Sequence, residues 1–151
     1  MLKLKIILGL LNSLEVYIAK LESIKPTSID DWKVDFENYW AVSHGLQIAV
    51  QHVTDISAHI LAAQNLAAPS DYKEALLELG RNKIVPTDFA EKISGMAGFR
   101  NIVVHQYLGV DPQKVFDIIQ NDLPDFGAFA GYIYDYLRRE GHLPSEDQPA
   151  K

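Results

Sequence analysis

The sequence predicts an all-α fold, an antiparallel four-helix bundle with extra short helices. Three observations carry that reading. Apolar residues recur at spacings of three and four over most of the chain. Cap residues, prolines and glycines fall at intervals that suit helix ends. No stretch alternates apolar and polar residues convincingly enough to be a strand.

In the first segment Leu4, Ile7, Leu8, Leu11, Leu14, Ile18 and Leu21 keep the helical period, and Pro26 ends it. Ser28 and Asp31 then read as an N-cap and its acidic partner. A long helical pattern is expected from about Ile29 to Leu66, through Phe36, Trp40, Val50, Val53, Ile56 and Ile60. Pro69 and Ser70 open a short helix that runs through Leu79, with Gly80 at its C-cap. Thr87 caps a segment from Asp88 to about Gln106. Asp111 before Pro112 places a cap ahead of a proline at the first helical position. That helix reaches about Gln120. Pro124 begins the last one, Asp125 to Glu140, which Gly141 stops. A helical domain is thus expected over residues 1–141, with residues 142–151 a flexible tail. Long helices with aromatic rows also favour a homodimer.

A chain of 151 residues suits one domain with its own core. The formal charge of −6 offers no broad basic footprint, so duplex DNA is not an expected partner. There is no cysteine, which excludes disulfides, thiolate metal sites and cysteine nucleophiles, and fits a cytoplasmic protein. The apolar run Ile6 to Leu11 is short and leads into Glu15, Lys20 and Glu22. We read it as the first helix, with a secretory signal as the alternative. No run approaches the roughly 20 apolar residues that span a bilayer, so no membrane partner is expected.

The segment "GMAGFRNIVVHQY", Gly95 to Tyr107, concentrates chemistry that a core-filling helix does not need. Arg100 is a permanent cation with a planar fork suited to phosphate. His105 titrates near neutrality and can give or take a proton. Asn101 can hold a histidine tautomer or bind a ribose or base edge. Tyr107 can stack or offer its hydroxyl. Arginine plus histidine without metal ligands suits RNA cleavage, in which the ribose 2′-hydroxyl supplies the nucleophile. On a regular helix Arg100 and Tyr107 fall about 20° apart, whereas His105 falls about 140° from Arg100. The helix must therefore fray near His105, or the site must be shared between two chains. Gly95, Ala97 and Gly98 leave room for a second helix to approach. The competing reading is a helix end in which Arg100 pairs with an acid, His105 caps and Tyr107 packs.

"RNIVVHQY" matches the R-x4-H-x-Y signature of the HEPN superfamily, and the surrounding "MAGFRNIVVHQYLGVDPQKV" and "SDYKEALLELGRNKIVPTDFAEKI" resemble its HepT toxin branch. The resemblance covers about Asp30 to Leu137. It implies a homodimeric all-α bundle whose cleft holds a metal-independent endoribonuclease, the toxin of a type VII toxin–antitoxin system acting on RNA. It implies Arg100 as phosphate binder, His105 as proton-transfer residue and Asn101 in support. It also implies a partner, an MntA-like nucleotidyltransferase antitoxin that transfers AMP to Tyr107 and silences the toxin. The alternative within the family is a non-catalytic scaffold for such a nucleotidyltransferase. No cofactor is expected.

His52, Asp55 and His59 lie on one side of the second long helix. No matching ligand is evident elsewhere, so a polar network or a cleft wall is expected rather than a metal site, with Asp55 placed to orient a cleft group. His44 is expected at the surface or an interface. Phe126, Phe129, Tyr132, Tyr134 and Tyr136 read as core and dimer surface. Arg138 and Arg139 suit the C-terminal dipole of the last helix and are a weak candidate for RNA backbone contact.

Overall fold

The computed structural model describes residues 1–66, 71–96 and 111–145. Among them the secondary structure is helical throughout, with no strand. The helices are α1 (Leu4–Ile24), α2 (Asp31–Val34), α3 (Phe36–Ala63), α4 (Tyr72–Arg81), α5 (Thr87–Ile93), α6 (Pro112–Asn121) and α7 (Leu123–Arg139).

The core is built on α1 and α3. α1 buries Ile7, Leu11, Leu14 and Leu21, spaced by three, four and seven, so one stripe faces inward. α3 answers with Val42, Leu46, Ala49, Val50, Val53, Ile56 and Ile60. Gly45 lets the two helices approach closely, because a Cβ there would stand 3.0 Å from Leu21 Cδ2. α7 packs on α1 and adds Phe126, Phe129, Ile133 and Leu137, all at most 1% exposed. Burying each such side chain contributes about 1.5–3 kcal/mol. Phe126, Phe129 and Tyr136 are core residues, while Tyr132 and Tyr134 are half-buried at its edge.

The long helix expected from Ile29 is broken. Asp35 ends α2 and its carboxylate accepts from the backbone N–H of Asn38 at 3.0 Å, so it caps α3. The periodicity of Trp32 and Phe36 runs across this break and hides it. Asp30, not Ser28, holds the N-cap position of α2, and no side chain caps that helix, although Asp31 does reach back to the Ser28 N–H. Asp31 Oδ2 accepts from the N–H groups of Thr27 and Ser28, each at 3.1 Å, while Ser28 Oγ accepts from Asp30. Asn38 then ties the corner together. Its Nδ2 donates to the Ile24 carbonyl at 2.8 Å, and its Oδ1 accepts from Trp32 Nε1 at 2.8 Å.

Two other ends differ from the sequence reading. Gly80 lies inside α4, which runs to Arg81 and turns at Lys83, whose φ is +56°. Its lack of a side chain serves packing instead, since a Cβ would meet Ala90 Cβ of α5 at 2.6 Å. Pro86, not Thr87, holds the N-cap position of α5, and no side chain caps that helix. Asp88 accepts instead from the adjacent Phe89 N–H at 2.8 Å. Asp111 and Gly141 behave as expected. Asp111 Oδ1 accepts from Gln113 N–H at 2.9 Å ahead of Pro112. Gly141, with φ +77°, closes α7 as His142 N–H reaches the Leu137 carbonyl at 2.8 Å. The expected opening of α4 at Pro69 and Ser70 lies outside the described residues. Asp71 is the observed cap, accepting from Glu74 N–H at 2.7 Å. No helix among the described residues is long and apolar enough to cross a membrane.

Candidate functional site

The segment that carries Arg100, Asn101, His105 and Tyr107 lies outside the described residues, as does the second half of the helix expected from Asp88 to Gln106. The chain around that segment is described. α5 delivers it, ending at Ile93 with Ser94 N–H bound to the Ala90 carbonyl at 3.0 Å. The chain is described again at Asp111, the cap of α6.

Beside the end of α5 lies a pocket of about 330 Å³ whose apolar wall includes Val50, Ile93, Met96 and Phe126. Three ionisable groups edge it: Lys92, Asp122 and Asp125. Lys92 Nζ stands 2.9 Å from Asp125 Oδ1, which joins α5 to the start of α7. The Lys92 ammonium is held above its ordinary range, first by that hydrogen bond and then by the charge of Asp125. The Asp122 carboxyl is also pushed up, first by burial and then by the charge of Asp125, with Lys92 opposing. Burial and a like charge both disfavour the ionised carboxylate, and Lys92 partly offsets them. The sequence gives little sign of this trio, because Lys92 meets the two aspartates only through the packing of α5 on α7.

On the other side of α3, His52 is half-buried against α1. Its Nε2 lies 2.8 Å from Ser13 Oγ, and the Tyr17 ring meets it edge-on at 5.9 Å. Its Nδ1 is buried without a hydrogen-bond partner. Burial pushes the His52 pKa down, and the charge of Asp55 opposes the shift. Asp55 accepts from Gln51 Nε2 at 2.8 Å, one helical turn away on α3. The structure therefore supports a polar network in this part of α3. His59 is half-buried and His44 exposed. Among the described residues no group of three or more His, Asp and Glu side chains could hold a metal ion.

The two C-terminal arginines have structural partners. Arg138 donates to Asp135 at 3.1 Å, and Arg139 donates to the Lys83 carbonyl at 2.9 Å. Each also stands near a tyrosine ring, Arg138 at 6.0 Å from Tyr134 and Arg139 at 5.9 Å from Tyr136.

Comparison with known proteins adds three findings. The family described as Ribonuclease HepT-like matches residues 14–133. The tRNA nuclease HepT of Aphanizomenon flos-aquae is 31% identical over 121 residues, covering 80% of this chain and 82% of that protein. The solved structure of the tri-AMPylated HEPN toxin of Shewanella oneidensis in complex with its MNT antitoxin aligns with a TM-score of 0.76 at 25% identity, covering 86% of this chain and 97% of that one.

Proposed function

We propose that this chain, which belongs to the Ribonuclease HepT-like family, is the endoribonuclease toxin of a toxin–antitoxin pair. The observation that carries the proposal is the run "RNIVVHQY" at positions 100–107, which lies inside the family match over residues 14–133. Two relatives support the activity, one named a tRNA nuclease and one, from Shewanella oneidensis, named an mRNA nuclease.

Arg100 binds the scissile phosphate and neutralises charge as it builds on the phosphorane. His105 moves the proton between the ribose 2′-hydroxyl and the leaving oxygen. Asn101 holds the imidazole or the ribose in place, and Asp55 supports the cleft wall. Because the attacking oxygen belongs to the substrate, the chain needs only to bind, orient and transfer protons. The wide angle between Arg100 and His105 on a regular helix favours a site assembled by two chains in a homodimer.

Regulation acts at Tyr107. A nucleotidyltransferase partner attaches AMP to its phenolic oxygen, as the AMPylated toxin in complex with its antitoxin suggests by analogy. The attached phosphodiester carries a negative charge that occupies Arg100, and the nucleoside fills space that RNA needs. No change of fold is required.

The test is a two-step assay on the purified protein. Wild-type chain cleaves RNA in EDTA, and the same preparation stops cleaving after incubation with ATP, Mg²⁺ and the nucleotidyltransferase. Cleavage that needs a divalent ion, or that persists after stoichiometric AMP transfer, contradicts the proposal.

A further inference from the structure

The end of α2 and the start of α3 leave large apolar side chains in solvent. Val34 is 93% exposed, Trp40 64% and Phe36 56%. They are not scattered. The Phe36 ring lies 5.2 Å from Trp40 and 5.7 Å from Tyr39, centroid to centroid, so the rings make one aromatic ledge. The ledge continues into a groove of about 420 Å³ lined by Ile29, Trp32, Phe36, Tyr39 and Pro112. The corner beneath is already closed. Trp32 is buried, hydrogen-bonded to Asn38 and packed edge-on against Tyr39 and Phe116. Phe36 and Trp40 are therefore not spent on the core. Contiguous exposed aromatics of this kind mark protein contact surfaces, where such side chains carry much of the binding energy.

Charge decides between occupants. Residues 30–37 hold Asp30, Asp31, Asp35 and Glu37 against Lys33 alone, so 1 − 4 = −3, half of the chain's −6. Lys33 is itself bound to Asp30 at 3.0 Å. Asp111 adds a further carboxylate at the groove. A second copy docked across a two-fold axis would set this acidic rim against itself. An RNA backbone would meet the same repulsion. The occupant that fits is a protein surface whose apolar side chains are flanked by lysine and arginine.

We infer that this ledge is the docking surface for the nucleotidyltransferase partner, and that the partner meets it with a basic-rimmed apolar patch. The inference rests on the reading of Tyr107 as the AMP acceptor. Asp111 edges the groove, and Tyr107 precedes it by four residues. Four peptide units span no more than roughly 14 Å. A partner seated on the ledge thus has the modified tyrosine within reach of a catalytic domain of ordinary size.

The test measures binding of the purified nucleotidyltransferase to wild-type chain, to Phe36→Ala/Trp40→Ala and to Asp30→Lys/Glu37→Lys, with circular dichroism confirming the helical content of each. The aromatic double variant should lose about tenfold or more in affinity. The charge variant should lose affinity at low salt and show a flatter salt dependence than wild type. All three should retain the ribonuclease activity of the free chain. Wild-type binding with undiminished affinity in both variants overturns the docking site alone. Wild-type chain that does not bind the enzyme at all overturns the pairing as well. Variants that instead change oligomeric state, or that lose RNA affinity, assign the ledge to a second copy or to RNA and also overturn the inference.

Discussion

Ser13 Oγ and His52 Nε2 stand 2.8 Å apart and join α1 to α3 across 39 residues of sequence. The bond sits beside the Tyr17 ring, and the other imidazole nitrogen is buried without a partner. The groups facing His52 are Ser13 and Tyr17 from α1 and Asp55 from its own helix.

Burial lowers the His52 pKa below 6.5, more than Asp55 restores it. The unfolded chain therefore binds a proton at a pH where the folded chain does not, and stability rises with pH across the window just below 6.5. Above 6.5 the histidine costs nothing, and below its folded pKa the loss is complete. Urea unfolding between pH 5 and pH 7.5 should give a steeper pH dependence for wild type than for His52→Gln. Equal slopes would show that His52 titrates as it does in the unfolded chain.

Gly80 is held by contact and not by backbone angle. A methyl at Gly80 would stand 2.6 Å from Ala90 Cβ and 3.4 Å from Thr87 Cα, so Gly80→Ala must push α5 away from α4. The expected cost is about 1–3 kcal/mol. Gly127 is the control, because a methyl there meets nothing within 4 Å on the exposed side of α7. Gly127→Ala should be stabilising by about 0.5–1 kcal/mol through helix propensity. Thermal or urea melts of the two variants check the opposite signs.

Tyr107 should carry the AMP. Co-expression with the nucleotidyltransferase should add one or more AMP masses to a peptide that contains Tyr107, with loss of cleavage. Tyr107→Phe should escape modification and keep at least part of its ribonuclease activity. A mass shift that maps to another peptide refutes silencing through this residue.

The roughly 140° that a regular helix would put between Arg100 and His105 makes a prediction about assembly. If each site draws on two chains, a mixture of Arg100→Ala and His105→Ala subunits should regain some of the cleavage that each lacks alone. Full activity in a chain that sediments as a monomer at micromolar concentration would contradict a shared site.

Much of the fold was legible because it depends on local rules. The stripe Ile7, Leu11, Leu14 and Leu21 shows its inward face by spacing alone, and Asp111 before Pro112 marks the start of α6. The break at Asp35 is not legible in the apolar pattern. The cap signal is present, but Trp32 and Phe36 keep an unbroken period across it, and only the Asn38 bonds to both sides of the corner reveal the turn. Gly80 looked like a helix stop because its true constraint, the approach of Ala90, lies on another helix. For the candidate site the motif at 100–107 was legible as a pattern, since its chemistry is compressed into eight residues. The Ser13–His52 bond and the Lys92–Asp125 pair were not, because partners 39 and 33 residues apart meet only when helices pack.

The most direct measurement is RNA cleavage by purified, unmodified chain in EDTA, for wild type, Arg100→Ala and His105→Ala, with helicity checked in each. Wild type should cleave, and either variant should lose at least about a hundredfold, the scale at which a positioned proton-transfer group or an oxyanion-stabilising donor acts. Wild-type cleavage that survives intact in either variant would contradict the roles proposed for Arg100 and His105.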